Sequence, residues 1–95
     1  MAVATSSRSG YAIHNLEAAG IYGYFDGAIF GDMVHLAKPD PEIYLKACEA
    51  IKIRPKCSIA LEDAPAGIRS AYAAGMIPVM IPDLVEPDEE IKALV

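Results

Sequence analysis

The stretch 58–76, SIALEDAPAGIRSAYAAGM, constrains the fold most, because an apolar run leads directly into two adjacent carboxylates. A short strand is predicted over residues 58–61, it is closed by Glu62 and Asp63, and helical spacing begins after Pro65. In an open parallel sheet, ligands bind beyond the carboxyl ends of the strands. The two acids therefore lie where a functional site is expected.

The acidic pair has two interpretations. Neighbouring carboxylates repel each other unless a cation or a donor lies between them, which favours a divalent metal on hard oxygen ligands, such as magnesium. Alternatively, Asp63 caps the helix that follows by accepting its free backbone amides. A bare acidic pair before a helix does not distinguish these alternatives.

A second candidate segment is at the beginning of the chain. Residues 1–4 predict a small-residue strand that runs into Thr5, Ser6 and Ser7. Hydroxyl groups and free amides between a strand and a helix can hold an anion, or they can cap the helix without any ligand. Ser7 or Ser9 is expected to cap that helix.

A third candidate is Lys38, in the segment KPDP. A strand over 28–30 precedes it, and a helix is predicted to begin at Pro41 with Asp40 satisfying the exposed amides. The two prolines hold Lys38 in a rigid frame, so it is a candidate for a placed cation rather than a solvated charge.

Composition narrows the functional class. With 95 residues, 54% of them apolar, the chain predicts one soluble globular domain. Its net charge of -5 argues against nucleic acid or an anionic membrane as the main partner, and no segment has the length of a membrane span or the pattern of a signal peptide. Cys48 and Cys57 are interpreted as core residues of a reduced, cytoplasmic protein.

The remaining pattern completes an alternation of strands and helices. A strand is predicted over 77–81, followed by a short helix from Pro87 that turns Ile91 and Leu94 inward. Alternating elements predict a parallel sheet with right-handed crossovers.

Three segments together resemble a known family: VATSSRS at 3–9, KPDPEIY at 38–44, and LEDAPAG with AAGM within 61–76. They are similar to the second, third and fourth motifs of the haloacid dehalogenase superfamily, closest to its small-molecule phosphatases and β-phosphoglucomutases. The resemblance implies an α/β fold, a Rossmann-like three-layer α/β/α core with a parallel sheet. It also implies action on a small phosphorylated metabolite.

The resemblance further implies roles for individual residues. Thr5 and the amide of Ser6 would bind the transferring phosphoryl group, and Lys38 would neutralise it. Asp63 would ligate Mg²⁺ directly, with Glu62 supporting it. Such a set suits phosphoryl transfer, which needs alignment and charge neutralisation above all.

One family feature does not occur in the sequence. Members begin with a strand ending in DxD, which carries the nucleophile and the general acid and base, and a cap domain follows it. The expectation is therefore that residues 1–95 form the C-terminal part of such a core and are inactive alone. Alternatives are a phosphomutase or a non-catalytic binding remnant, and a receiver domain is disfavoured because the lysine precedes the acidic pair.

The missing strand has a structural consequence. In the family it lies between the strand ending at Thr5 and the strand ending at Glu62 and Asp63. Three outcomes are expected: direct pairing of residues 1–5 with 57–61, pairing across a dimer, or a strand supplied by a separate upstream polypeptide. Association through the exposed edge is favoured over repacking within one monomer.

Overall fold

The computed structural model describes residues 1–81, which form four parallel strands and three α-helices in strict alternation. Three short 3₁₀ turns connect them. The strands are β1 (Ala2–Ala4), β2 (Gly27–Ile29), β3 (Ile59–Glu62) and β4 (Ile77–Met80), and the helices are α1 (Ser9–Ala18), α2 (Glu42–Ile51) and α3 (Pro65–Ala73). The helix expected from Pro87, with Ile91 and Leu94, lies outside the described residues.

The strands form two separate parallel pairs. β1 pairs with β2, with Val3 opposite Ala28, and β3 pairs with β4, with Ala60 opposite Pro78. Within residues 1–81 there is no pairing between β1 and β3. Of the three expected outcomes, direct pairing of residues 1–5 with 57–61 is therefore excluded, and the two pairs remain separated as an incomplete Rossmann-like α/β core.

Helices α2 and α3 join the two pairs on one face. α2 packs on β1 and β2, α3 packs on β3 and β4, and the two helices contact each other. Their apolar faces meet the strands in one core cluster of Ile29, Ile43, Tyr44, Ala47, Ala60, Ala71 and Ala74. The helix predicted after Lys38 is confirmed as α2, and its buried residues recur at helical spacing, so one face packs on the strands.

No element within residues 1–81 covers the opposite face of β3 and β4. Side chains alternate along β3, so Ala60 and Glu62 point to the helices while Ile59 and Leu61 remain 62% and 64% exposed. Ile77 and Val79 continue this surface on β4, at 55% and 38% exposed. These four side chains are called the open face below.

Helix α1 is anchored differently from the prediction. Its N-cap is Arg8, and no side chain caps the helix from that position. Instead, the backbone amide and the hydroxyl of Ser9 both donate to the Asp32 carboxylate, at 3.0 and 2.7 Å. Asp32 follows β2, so it ties the start of α1 to the neighbouring strand.

Three other local expectations need correction. Cys57 is exposed in a 3₁₀ turn and does not pack in the core, whereas Cys48 is buried as expected. Helix α2 begins at Glu42 rather than Pro41, although the Asp40 carboxylate accepts its first amide at 2.9 Å. Strand β3 includes Glu62, which turns that side chain toward the helices.

None of the helices within residues 1–81 is long and apolar enough to cross a membrane.

Candidate active site

A cavity of about 410 Å³ lies where the carboxyl ends of β1 and β3 face each other. It is bounded by the loop after β1, the loop after β3 and the first turn of α3. All five candidate residues from the sequence line it: Thr5, Ser6, Lys38, Glu62 and Asp63. The structure thus brings together segments that are far apart in sequence.

The loop after β1 is fixed by backbone and hydroxyl contacts. The Thr5 amide donates to the Ile29 carbonyl at 3.1 Å, and the Ser7 amide donates to Thr5 Oγ1 at 3.2 Å. Thr5 Oγ1 therefore acts as an acceptor toward its own loop, and its hydrogen remains available to donate. This arrangement holds a hydroxyl at the mouth of the cavity.

Gly31 lets this loop approach β2 closely. A Cβ at Gly31 would collide with the backbone carbonyl of Ser6, so only glycine fits there. The Gly31 amide donates to the Ser7 carbonyl at 2.8 Å and closes the approach. Ser6 itself is exposed at the cavity.

Lys38 connects the two strand pairs. Its ammonium lies 2.9 Å from Glu62 Oε2, 3.3 Å from Glu62 Oε1 and 3.4 Å from the carbonyl oxygen of Ala4. The Lys38 and Glu62 side chains are only 12% and 8% exposed, so this is a nearly buried ion pair. Removing one partner of such a pair costs about 3–5 kcal/mol, because the other charge stays buried without compensation.

Glu62 occupies a space that only glycine leaves open. A Cβ on Gly67, in the first turn of α3, would collide with the Glu62 carboxylate. The carboxylate therefore lies directly against the α3 backbone while both of its oxygens meet Lys38. Its position is fixed from two sides.

Tyr44 lies beneath this ion pair, and the sequence analysis included it only as the last residue of the KPDPEIY segment. Lys38 Nζ is 5.1 Å from the centroid of the Tyr44 ring, within cation–π range. Burial raises the pKa of the Tyr44 phenol far above its usual value, and the negative charge of Glu62 acts in the same direction. The sequence signal for this contact was the spacing between Lys38 and Tyr44 within the KPDPEIY segment.

Asp63 differs from Glu62 in its exposure. Both residues line the cavity, but the Asp63 side chain is exposed whereas that of Glu62 is nearly buried. Within the described part of the chain, no group of three or more His, Cys, Asp or Glu residues could hold a metal. Mg²⁺ commonly binds one or two carboxylates and completes its shell with water and substrate phosphate, so Asp63 fits as a single anchor of a weak site.

The groups that line the cavity favour the binding of an anion and a cation next to each other. Lys38, the Thr5 hydroxyl and the amides of the β1 loop suit a phosphate dianion, and Asp63 offers an oxygen ligand next to it. A second cavity of about 150 Å³ shares Ser6 and Lys38 with the first and is lined further by Val34, His35 and Ile43. It leaves room for the rest of a small ligand.

Comparison with known proteins places these motifs in a family context. Residues 1–81 match the model of the family described as haloacid dehalogenase-like hydrolase. A phosphorylated carbohydrates phosphatase from Thermotoga maritima is 38% identical over 76 residues, covering 80% of this chain and 35% of the relative.

Two crystal structures share the fold. CbbY from Rhodobacter sphaeroides, in complex with phosphate, is 34% identical with a TM-score of 0.82, covering 87% of this chain and 38% of that one. β-Phosphoglucomutase from Clostridium difficile is 35% identical with a TM-score of 0.76, covering 82% and 35%. The chain thus spans little more than a third of the length of each of these relatives.

Proposed function

The chain belongs to the haloacid dehalogenase-like hydrolase family, and we propose from that premise that it supplies the phosphate- and magnesium-binding half of a phosphohydrolase for small phosphorylated metabolites. The observation that carries the proposal is the single cavity lined by Thr5, Ser6, Lys38, Glu62 and Asp63. Phosphoryl transfer depends on positioning and charge stabilisation, and these side chains provide both.

The proposed division of roles rests on the motifs shared with the family, and the positions of the residues around the cavity support it. Thr5 Oγ1 and the Ser6 amide bind phosphoryl oxygens, and the Lys38 ammonium neutralises their charge. Glu62 is held against Lys38 and Gly67, so it orients the lysine and supports the metal indirectly. Asp63 is exposed and provides the direct bond to Mg²⁺, which when bound neutralises phosphate charge.

A phosphomutase of the β-phosphoglucomutase type is the second candidate. The fold match to β-phosphoglucomutase supports it, but hydrolase and mutase share the phosphate site, and the described residues contain no feature that separates them. A non-catalytic binding remnant is the third candidate. We place the protein in the cytoplasm, because free Cys48 and Cys57 suit a reducing compartment.

Magnesium binding should depend on Asp63 more than on Glu62. Asp63→Asn should weaken Mg²⁺ binding about tenfold or more, because an amide is a far poorer ligand for a hard cation. Calorimetry in the presence of inorganic phosphate measures this, and Glu17→Gln, which removes an equal charge from exposed α1, is the matched control. Tight binding that survives Asp63→Asn but not Glu62→Gln would reverse the two roles.

The isolated chain should not turn over small phosphate esters. The aspartyl-phosphate route needs a nucleophilic aspartate, which this family carries in a DxD segment that the sequence does not contain. Assays with p-nitrophenyl phosphate and Mg²⁺ should give no rate above the buffer. Turnover that disappears in Asp63→Ala would show that another carboxylate has taken over, and Asp32, at the end of β2, would be examined first.

We also propose that the gap between β1 and β3 is closed by association with another polypeptide. Both strands present an unpaired edge over the described residues, and β3 also carries the open face. Unpaired strand edges beside apolar side chains favour pairing with a further strand. A second copy of this chain or an upstream polypeptide would supply it.

A further inference from the structure

Glu42 holds the segment that leads into Lys38. Residues 34–37, called the cavity loop below, directly precede Lys38 and belong to no helix or strand. The Glu42 carboxylate, in the first turn of α2, accepts the backbone amide of His35 at 3.0 and 3.1 Å and that of Leu36 at 2.8 Å. One side chain therefore fixes two consecutive amides of the cavity loop.

Lys46 adds a second tether to the same region. Its ammonium donates to the Met33 carbonyl at 2.9 Å, just before the cavity loop, and lies 3.2 Å from Glu42 Oε2. Lys46 follows Glu42 by four residues, so the two side chains lie on the same face of α2. The Glu42 side chain is only 19% exposed, which limits its contact with water. A pair of opposite charges thus holds the cavity loop to α2.

The cavity loop forms a wall of the second cavity, which has a volume of about 150 Å³. Three of its four residues line this cavity: Val34, His35 and Ala37. Ser6 and Lys38 line both this cavity and the larger one. A shift of the cavity loop would therefore change the shape of the smaller cavity and the point from which Lys38 extends towards Glu62.

We infer that Glu42 is a positioning residue, which fixes the cavity loop against α2 and thereby sets the shape of the second cavity and the base of the Lys38 side chain. The inference rests on the proposed function for its ligand but not for its contacts. A loop that is already ordered loses less conformational entropy on binding than a loop that the ligand must order. Glu42 lines neither of the two cavities, so it favours binding without touching the ligand.

A role confined to helix α2 would predict different results. An acidic side chain in the first turn also stabilises a helix through its dipole. Glu42→Gln removes the charge, so it weakens the dipole contribution and the loop contacts together. Lys46→Met removes the second tether but leaves the first-turn charge in place, so it separates the two roles. Glu49→Gln is the matched control, because Glu49 is exposed on the same helix.

The first experiment needs no ligand. Amide exchange followed by NMR should be slow for His35 and Leu36 in the wild-type chain, and Glu42→Gln should accelerate it about threefold or more, as the loss of a net hydrogen bond predicts. The ¹⁵N signal of the Lys38 ammonium should shift in the same variant. Lys46→Met should change both quantities in the same direction, and Glu49→Gln should change neither.

Two outcomes of this experiment overturn the inference. Unchanged exchange of the His35 and Leu36 amides in a folded Glu42→Gln variant would show that Glu42 does not hold the loop. Faster exchange with an unchanged Lys38 signal would show that the loop does not position the lysine. If Glu42→Gln fails to fold, Lys46→Met decides, and an unchanged loop and Lys38 signal in that variant overturn the inference as well.

The second experiment compares inorganic phosphate with glycerol phosphate, each titrated in the presence of Mg²⁺ and followed by NMR. Glu42→Gln should raise the dissociation constant of the ester about threefold to tenfold and that of inorganic phosphate less, because only the ester has a group that extends into the second cavity. Equal losses for the two compounds would overturn the inference that Glu42 shapes this cavity. If the wild-type chain binds neither compound, the proposed function fails, while the exchange rates and the Lys38 signal still decide the role of Glu42.

Discussion

Gly67 shows how one residue without a side chain shapes the site. The Glu62 carboxylate lies where a Cβ of any other residue would be, so Gly67 admits a charged group against the first turn of α3. Glu62 in turn holds Lys38 at 2.9 Å. The ion pair between Lys38 and Glu62 therefore depends on the lack of a Cβ at Gly67 in helix α3.

Gly67→Ala should destabilise the protein by about 2 kcal/mol, because the new methyl group displaces the Glu62 carboxylate, and the better helix propensity of alanine offsets only part of this. Gly10→Ala is the matched control, since nothing lies within 4 Å of a Cβ at that position of α1. The control should stabilise by up to about 1 kcal/mol. Urea unfolding measures both, and destabilisation of equal size in the two variants would contradict the steric argument.

At the level of the elements, sequence patterns predicted which helices and strands form better than they predicted the contacts that hold each element in place. The apolar periodicity of α2 and the short run before Glu62 identified a helix and a strand, because burial of one face dictates the spacing. The cap of α1 was missed because its acceptor, Asp32, lies 23 residues away from Ser9. A contact between residues so far apart in the sequence leaves no local pattern.

The Asp32 cap should make α1 sensitive to acid. Hydrogen bonds from the Ser9 hydroxyl and amide, with the charge of Arg8, hold the pKa of Asp32 below its usual value of 3.8. A carboxyl whose pKa is lowered by folding stabilises the folded state above that usual value, and the contribution disappears as pH falls through the lowered pKa. Protection of the α1 amides should therefore decline below pH 3.8.

Amide exchange across α1 measures this, with Asp32→Ala as the test variant. It should remove the acid-dependent loss and lower protection of the first turn at neutral pH as well. Asp26→Ala, which removes an exposed carboxylate paired with the chain's amino terminus, should leave α1 unaffected. If the protection of the α1 amides depends on pH in the same way in the wild type and in Asp32→Ala, the role of Asp32 as a cap is refuted.

At the scale of the whole molecule, the order of the segments was enough to predict which loops meet. Parallel strands place their carboxyl ends at one edge, so Thr5 and Asp63 were expected to lie together, and one cavity contains both. The place of the Tyr44 ring under the Lys38 ammonium was not predicted, because their spacing in the KPDPEIY segment does not by itself indicate that the two groups meet. The closure of the central gap remains a proposal.

The gap should make the chain associate in solution. Light scattering should show a mass above that of the monomer. Leu61→Lys, on strand β3 whose edge opposite β4 is unpaired over the described residues, should reduce this mass, because a charge on an edge strand opposes pairing. Leu45→Lys is the matched control, since Leu45 is 45% exposed on α2, away from the open face. A monodisperse monomer that melts cooperatively would disprove association.

The near-complete burial of the Lys38 and Glu62 pair also determines how the site responds to ionic strength. Dissolved salt weakens interactions between exposed charges, with a screening length of about 8 Å at physiological concentration, but it screens buried pairs much less. The pair between the chain's amino terminus and Asp26, at 63% and 73% exposed, is open to that screening, whereas the pair at 12% and 8% is largely shielded. A change in ionic strength should therefore alter the Lys38 and Glu62 pair less than it alters the pair between the amino terminus and Asp26.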